Sequence, residues 1–292
     1  MKPPASFWRF FDERDPRGGR VKAWLFLTHP GPSLLVTAVT VAAAGLLIRR
    51  MPSERTALGL VLVMLPSQLA IGTLNDWADA ASDRVSKPFK PIARGLVRRR
   101  DAALLGVLLL AVSLSTAAWL GTDVLLVSLL GAAAGVSYDL ALKRTPLAVV
   151  AWWAGFTTVP LLAMVITGRL RGGVEAVLLA GLLATALLVA NGVVDIEGDR
   201  LAGEHTLPVV IGVRPSQRLI SAAMLAACVG VLALMAPLGQ GGLAFAAAAL
   251  FGAGAGVGLL PARARALSFP VLAVCVAAAT VSWLAALPVP AS

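Results

Sequence analysis

The chain has 292 residues, 58% hydrophobic and only 14% charged, with a mean hydropathy of +0.85. A soluble domain of this size carries about 25% charged residues, so the composition excludes a soluble globular protein and predicts a polytopic helical membrane protein. The net charge of +10 is spread over loops between apolar runs, which argues against nucleic acid. Cys228 and Cys275 fall in separate apolar runs, with no spacing that suits zinc or a disulfide framework.

The first 22 residues carry six basic side chains and no apolar stretch. They read as an N-terminal tail without a cleavable signal peptide, ahead of a membrane domain over 23–292. Apolar runs long enough to cross a hydrocarbon core of about 30 Å then follow at 24–48, 57–78, 102–120, 123–138, 146–167, 174–195, 217–237, 241–260 and 268–287. Pro30 and Pro32 are expected to bend or delay the first helix, and only Gly121, Thr122 and Asp123 divide the third run from the fourth. Assigning the tail and alternate loops to one side gives 20 Lys and Arg there against 5 on the other. The expected orientation is therefore a cytoplasmic N-terminus.

The pattern Asn-x-x-x-Asp-x-x-x-Asp-Arg occurs twice, 116 positions apart: Asn75, Asp79, Asp83 and Arg84, then Asn191, Asp195, Asp199 and Arg200. Each copy closes an apolar run (the second and the sixth) and opens a basic cytoplasmic loop, over 75–101 and 191–216. Spacings of i, i+4 and i+8 place each amide and its two carboxylates on one face of one helix. Four helices separate the copies, so both run in the same direction. The expected architecture is a parallel internal repeat of four helices with a ninth added.

Carboxylates at the negative end of a helix macrodipole, facing one another at the membrane edge, repel. A bound divalent cation would remove the conflict, and oxygen-only ligands suit a hard ion such as Mg²⁺, which shares its shell with substrate phosphates. Lys87, Lys90 and Arg94 follow the first copy, Arg200 and His205 the second, and Lys143 and Arg144 the fourth span. Cations beside such a carboxylate cage imply a diphosphate ligand.

The segments NDWADAASDRVSKPFKPIARG at 75–95 and DIEGDRLAGEHTLPVVIG at 195–212 resemble the two Asp-rich signatures of the UbiA superfamily of intramembrane prenyltransferases. YDLALKRT at 138–145 is similar to the shorter tyrosine and Lys-Arg loop of that family. The resemblance implies Mg²⁺-dependent transfer of an isoprenyl group from a polyprenyl diphosphate to an acceptor, often aromatic or a quinone precursor. It implies that Asn75, Asp79, Asp83, Asp195 and Asp199 bind the metal–diphosphate, with Asn191 matching a family asparagine. Tyr138, Lys143, Lys87, Arg94 and Arg200 would then hold phosphate oxygens. The chain departs from the pattern at Gly192, where an acid is common, and at His29, where many members have arginine.

Ionising an allylic diphosphate leaves cationic character on carbon, which aromatic faces stabilise. Trp77, Phe89, Tyr138, Trp152, Trp153 and Phe156 are the candidates. A terpene cyclase would use the same ionisation without an acceptor. A cation transporter would need polar residues at mid-membrane, and these apolar runs carry their acids at the cytoplasmic ends.

Overall fold

The computed structural model describes residues 16–170, 172–235, 241–261, 264 and 267–286. Among them every regular element is helical. In chain order these are α1 (Pro16–Leu27), α2 (Pro30–Ile48), α3 (Glu54–Ser86), α4 (Arg99–Leu120), α5 (Thr122–Ser137) and a π-helical turn (Tyr138–Leu142). There follow α6 (Ala148–Thr167), α7 (Gly173–Gly192), two short helices α8 (Ile196–Leu201) and α9 (Leu207–Ile211), α10 (Val213–Met235), α11 (Gly241–Val257) and α12 (Ser268–Ala286). Seven helices (α2 to α5, the last with its π-helical turn, then α6, α7 and α10) are long and apolar enough to cross a membrane, and α11 and α12 contain shorter apolar runs. The protein is a multi-pass membrane protein.

The expected first span, 24–48, is two helices. Proline has no N–H to give and pushes the preceding residue out of the α region, so α2 begins at Pro30 and His29 ahead of it takes a left-handed conformation, φ 48°. Residues 24–27 belong to α1, which reaches back into the segment read as a tail; the rest of that tail, 1–15, lies outside the described residues. The division at Gly121 holds, because this glycine adopts φ 146° between α4 and α5.

Helix α3 runs well past the expected end at 78. Its 33 residues span about 50 Å at 1.5 Å per residue, so its last turns project beyond an apolar slab of about 30 Å. Ser53 starts it, accepting from the Thr56 N–H at 3.2 Å.

Each membrane helix packs on the next, from α2 to α3, α4, α5, α6, α7, α10, α11 and α12. Helix α12 then returns to α2 and α7. The neighbour sequence α2–α3–α4–α5 recurs as α6–α7–α10–α11, as a four-helix repeat requires. Small residues line the contacts (Ala43, Ala44, Ala163, Ala184, Ala186 and Ala190 are buried), while Leu104, Val107, Leu108 and Leu126 are exposed. That is the inside-out pattern of a bundle solvated by lipid, where close backbone approach replaces the hydrophobic effect between helices.

Two of these approaches set the height of the first Asp motif. A Cβ at Gly106 of α4 would lie 2.7 Å from Leu74, and one at Gly135 of α5 would lie 2.5 Å from Ile71. Helix α3 is thus seated between two glycines on the turn before Asn75. Gly106→Val gains a few tenths of a kcal/mol in helix propensity but overpacks a closed contact at about 1–3 kcal/mol. A lower melting temperature in detergent is the expected result, whereas Gly252→Ala, where a Cβ meets nothing within 4 Å, is expected to melt like the parent.

Candidate active site

Asn75, Asp79 and Asp83 share one face of α3, as expected. The second copy does not form one helix. Helix α7 ends at Gly192, leaving Asn191 in its last turn, Asp195 in the N-cap position of α8, and Asp199 within α8. Pro208 of α9 closes on this helix end: a Cβ at Gly192 would come within 2.9 Å of its ring. Gly192 therefore serves a close approach of α9 to the end of α7.

The loop after α3 folds back on the motif. Successive turns bond Lys90 N–H to Lys87 O, Arg94 N–H to Lys90 O and Leu96 N–H to Pro91 O, each at 3.0 Å. Ile92 and Val97 bury themselves against Ala23 and Leu27 of α1 and Ala80 of α3. This apolar pin carries Lys90 to the acids: its Nζ lies 2.7 Å from Asp76 Oδ1 and 2.8 Å from Asp83 Oδ2. Burial alone would lower the Lys90 pKa, but Asp76 and Asp83 outweigh it and raise the pKa above its ordinary value. On the far side of Asp76, His29 Nε2 sits 3.1 Å from the same Oδ1.

The second centre is built by the π-helical turn. Its i→i+5 bond, Lys143 N–H to Tyr138 O at 3.0 Å, packs one extra residue into the end of α5, a device often found at functional sites. Asp139 is thereby buried against α3, where it accepts from Asn75 Nδ2 at 2.8 Å. Lys143 Nζ reaches Asp79 Oδ1 at 2.5 Å. Arg144 stands 3.5 Å from Asp79 and 3.3 Å from Glu204, and its carbonyl accepts from the His205 N–H. The Lys143–Arg144 pair thus ties the two motif loops together.

Asp199 accepts from Thr206 at 3.1 Å. Burial and the like charges of Glu204 and Asp195 raise its pKa, against the Thr206 bond and the charge of Lys87. Lys87 is exposed, Arg94 half-buried, and Arg200 pairs with Glu197 at 3.7 Å on its own short helix. No ion pair joins Arg200 to a motif carboxylate among the described residues.

Beneath the two centres, a cavity of about 650 Å³ opens between α2, α3, α5 and α6. Asn75, Asn191, Tyr138, Asp139 and His29 form its polar mouth, and Val63, Met64 and Leu162 its apolar depth. Tyr138 meets Trp152 edge-on at 6.1 Å, and Trp152 stacks on Phe156 at 5.5 Å; all three line the cavity. Trp77 instead lies under the Arg99 guanidinium, and Trp153 donates to the Val177 carbonyl.

Among the described residues no three carboxylates or imidazoles stand together as a ready-made cation site. The expected cage is therefore not preformed, because Lys90 and Lys143 lie against the carboxylates that would build it. The donors still fit a hard divalent ion: they are all oxygen, and Asp139 Oδ2 is buried at the cavity mouth with no hydrogen-bond partner.

Sequence spacing did not reveal the His29–Asp76–Lys90 chain or the Arg144–Glu204 tie. Their members lie 14 or more residues apart, and no local pattern signals their meeting.

Comparison with known proteins agrees with this architecture. A digeranylgeranylglyceryl phosphate synthase of Pyrococcus abyssi is 33% identical over 225 residues, 74% of this chain and 76% of that protein. The solved structure of a digeranylgeranylglyceryl phosphate synthase superposes with a TM-score of 0.76 at 16% identity, covering 91% of this chain and 98% of that one. A UbiA homologue from Archaeoglobus fulgidus, solved with GPP and Mg²⁺, gives 0.65 at 17% identity, covering 89% and 99%. The model of the UbiA prenyltransferase family matches residues 34–265, and the chain, which places both Asp motifs over an apolar intramembrane cavity, belongs to that family.

Proposed function

We propose that this prenyltransferase ionises an isoprenyl diphosphate at the two Asp motifs and transfers the prenyl group to the hydroxyl of a glyceryl-phosphate-type acceptor. The observation that carries the reading is the junction of cationic side chains and acids over a long apolar cavity whose mouth holds both Asn75 and Asn191. Asn75, Asp79, Asp83, Asp195 and Asp199 would hold Mg²⁺, which neutralises the leaving diphosphate when bound. Lys87, Lys90, Lys143 and Arg94 supply positive charge for phosphate oxygens, with Tyr138 beside them and Arg200 further out. The apolar depth of the cavity takes the isoprenoid tail. Trp152 and Phe156, stacked within reach of Tyr138, present faces to a developing allylic cation.

The acceptor class draws on the relatives, whose name describes a glyceryl phosphate carrying two geranylgeranyl groups. A second pocket of about 270 Å³, lined by Asp79, Arg99, Lys143 and Arg144, offers cations for an acceptor phosphate. Membranes containing the protein, given labelled geranylgeranyl diphosphate, Mg²⁺ and a mono-prenylated glyceryl phosphate, are expected to form a diether, and EDTA to abolish it. A prenylated quinone precursor formed in its place would keep the reaction but replace the acceptor. A hydrocarbon or terpene alcohol formed with no acceptor would make the protein a cyclase.

The 20-to-5 bias of basic residues supports a cytoplasmic face for this chemistry. With Cys228 and Cys275 replaced by Ala, Leu201→Cys should resist an impermeant thiol reagent in intact cells, and Ser53→Cys should react. The reverse labelling would invert the orientation.

A further inference from the structure

We propose that His29 is the group that takes the proton from the attacking hydroxyl, held in its working tautomer by Asp76. This rests on the acceptor being an alcohol, as read above.

The backbone holds the ring in place. His29 occupies the left-handed region at φ 48° between α1 and Pro30, a conformation that non-glycine residues other than Asn, Asp and His seldom adopt. Its ring lies over Gly72 of α3, where a Cβ would come within 3.1 Å of both His29 Cβ and Cδ2. The Cδ2–Nε2 edge therefore faces α3, and Nε2 meets Asp76 Oδ1 at 3.1 Å. A carboxylate accepts only, so Nε2 carries a proton, and in the neutral ring the lone pair then falls on Nδ1. Nδ1 lies across the ring from that edge, and no protein group pairs with it among the described residues. The side chain is 41% exposed and forms part of the cavity mouth with Asn75, Tyr138 and Asp139.

The neighbouring charges suit a base. Asp76 is buried, 2% exposed, and also binds Lys90. Lys90 shares the Asp76 carboxylate with His29, and Asp76 would stabilise the imidazolium formed when Nδ1 takes a proton. Three other acids of the site are engaged, Asp79 with Lys143, Asp83 with Lys90 and Asp139 through one oxygen with Asn75. Asp195 and Asp199 belong to the second motif, read above as holding the metal–diphosphate. Lys90 thus links the first Asp motif, through Asp83, to the His29 pair, through Asp76.

In the step itself, the acceptor oxygen forms a bond to the allylic carbon of the donor. The bond from that carbon to the diphosphate oxygen breaks, its electron pair leaving with diphosphate. The hydroxyl proton passes to His29 Nδ1 and then to water, so atoms and charge balance without a further reagent.

The test uses full-length protein in membranes with donor and acceptor both varied. His29→Asn keeps a residue that tolerates the left-handed backbone, and it should lower kcat about 100-fold or more while KM for the donor stays within about twofold. Asp76→Asn should act in the same direction, since an amide no longer selects the tautomer. In His29→Gly, added imidazole should restore transfer in a saturable manner and leave the wild type unchanged, a response that a merely structural histidine would not give. Wild-type kcat in His29→Asn would overturn the proposal, as would a loss expressed wholly as weaker donor binding. Failure of the wild type itself to transfer to an alcohol would instead remove the functional reading beneath it, and running it alongside separates the two.

Discussion

Asp195→Ala is expected to lower prenyl transfer at least about 100-fold with little change in melting temperature, and Asp79→Ala to lower it as far. Losing one preorganised electrostatic group around a developing charge typically costs 10²–10³ in rate, about 2.7–4 kcal/mol. Asp195 gives the cleaner test. It is exposed, sits in the N-cap position of α8 without a side-chain capping bond, and no hydrogen bond or ion pair to its carboxylate is present among the described residues. A structural role therefore predicts no effect, and a role in holding metal–diphosphate predicts a large one. Asp79 is harder to interpret because its removal leaves the Lys143 ammonium without its carboxylate. Activity near wild type in both variants, measured with saturating donor and Mg²⁺, would reject the mechanism.

Lys90→Met is expected to cost about 3–5 kcal/mol of stability, because it strands two buried carboxylates. The side chains of Asp76 and Asp83 are 2% and 5% exposed and that of Lys90 14%, so water screens the cluster poorly. The raised Lys90 pKa means that its contribution is complete below the ordinary lysine value and is lost only when pH rises above the raised one. Melting near neutral pH should therefore not vary on account of this group. The triple change Lys90→Met, Asp76→Asn, Asp83→Asn should recover much of the loss, since removing all members of a buried ionic cluster leaves no unpaired charge. Thermal melting of purified protein in detergent reads both. A Lys90→Met protein that melts like the parent would show that the cluster is solvated and its members independent.

The amino-acid sequence by itself determined the membrane class, the helical spans and the residues that gather at one end of the bundle. These follow from local rules: apolar length against bilayer thickness, proline at helix starts, glycine between spans, and the 3.6-residue period that aligns Asn75, Asp79 and Asp83. The same period misled at the second copy. Nothing local to 191–199 announces that Pro208 presses on Gly192 and that α7 stops there, so Asp195 became a cap and Asp199 passed to a separate short helix. Only the tertiary structure decided which base meets which acid. Lys90 reaches Asp76 and Asp83 because Ile92 and Val97 pin its loop beneath α1, and Lys143 reaches Asp79 because a π-helical turn adds a residue after Tyr138. His29 finds Asp76 across 47 positions because Gly72 leaves room for its ring. Charge pairing between distant segments depends on helix packing, which is set by the shapes of residues far from the motifs, and a motif's own spacing carries no record of it.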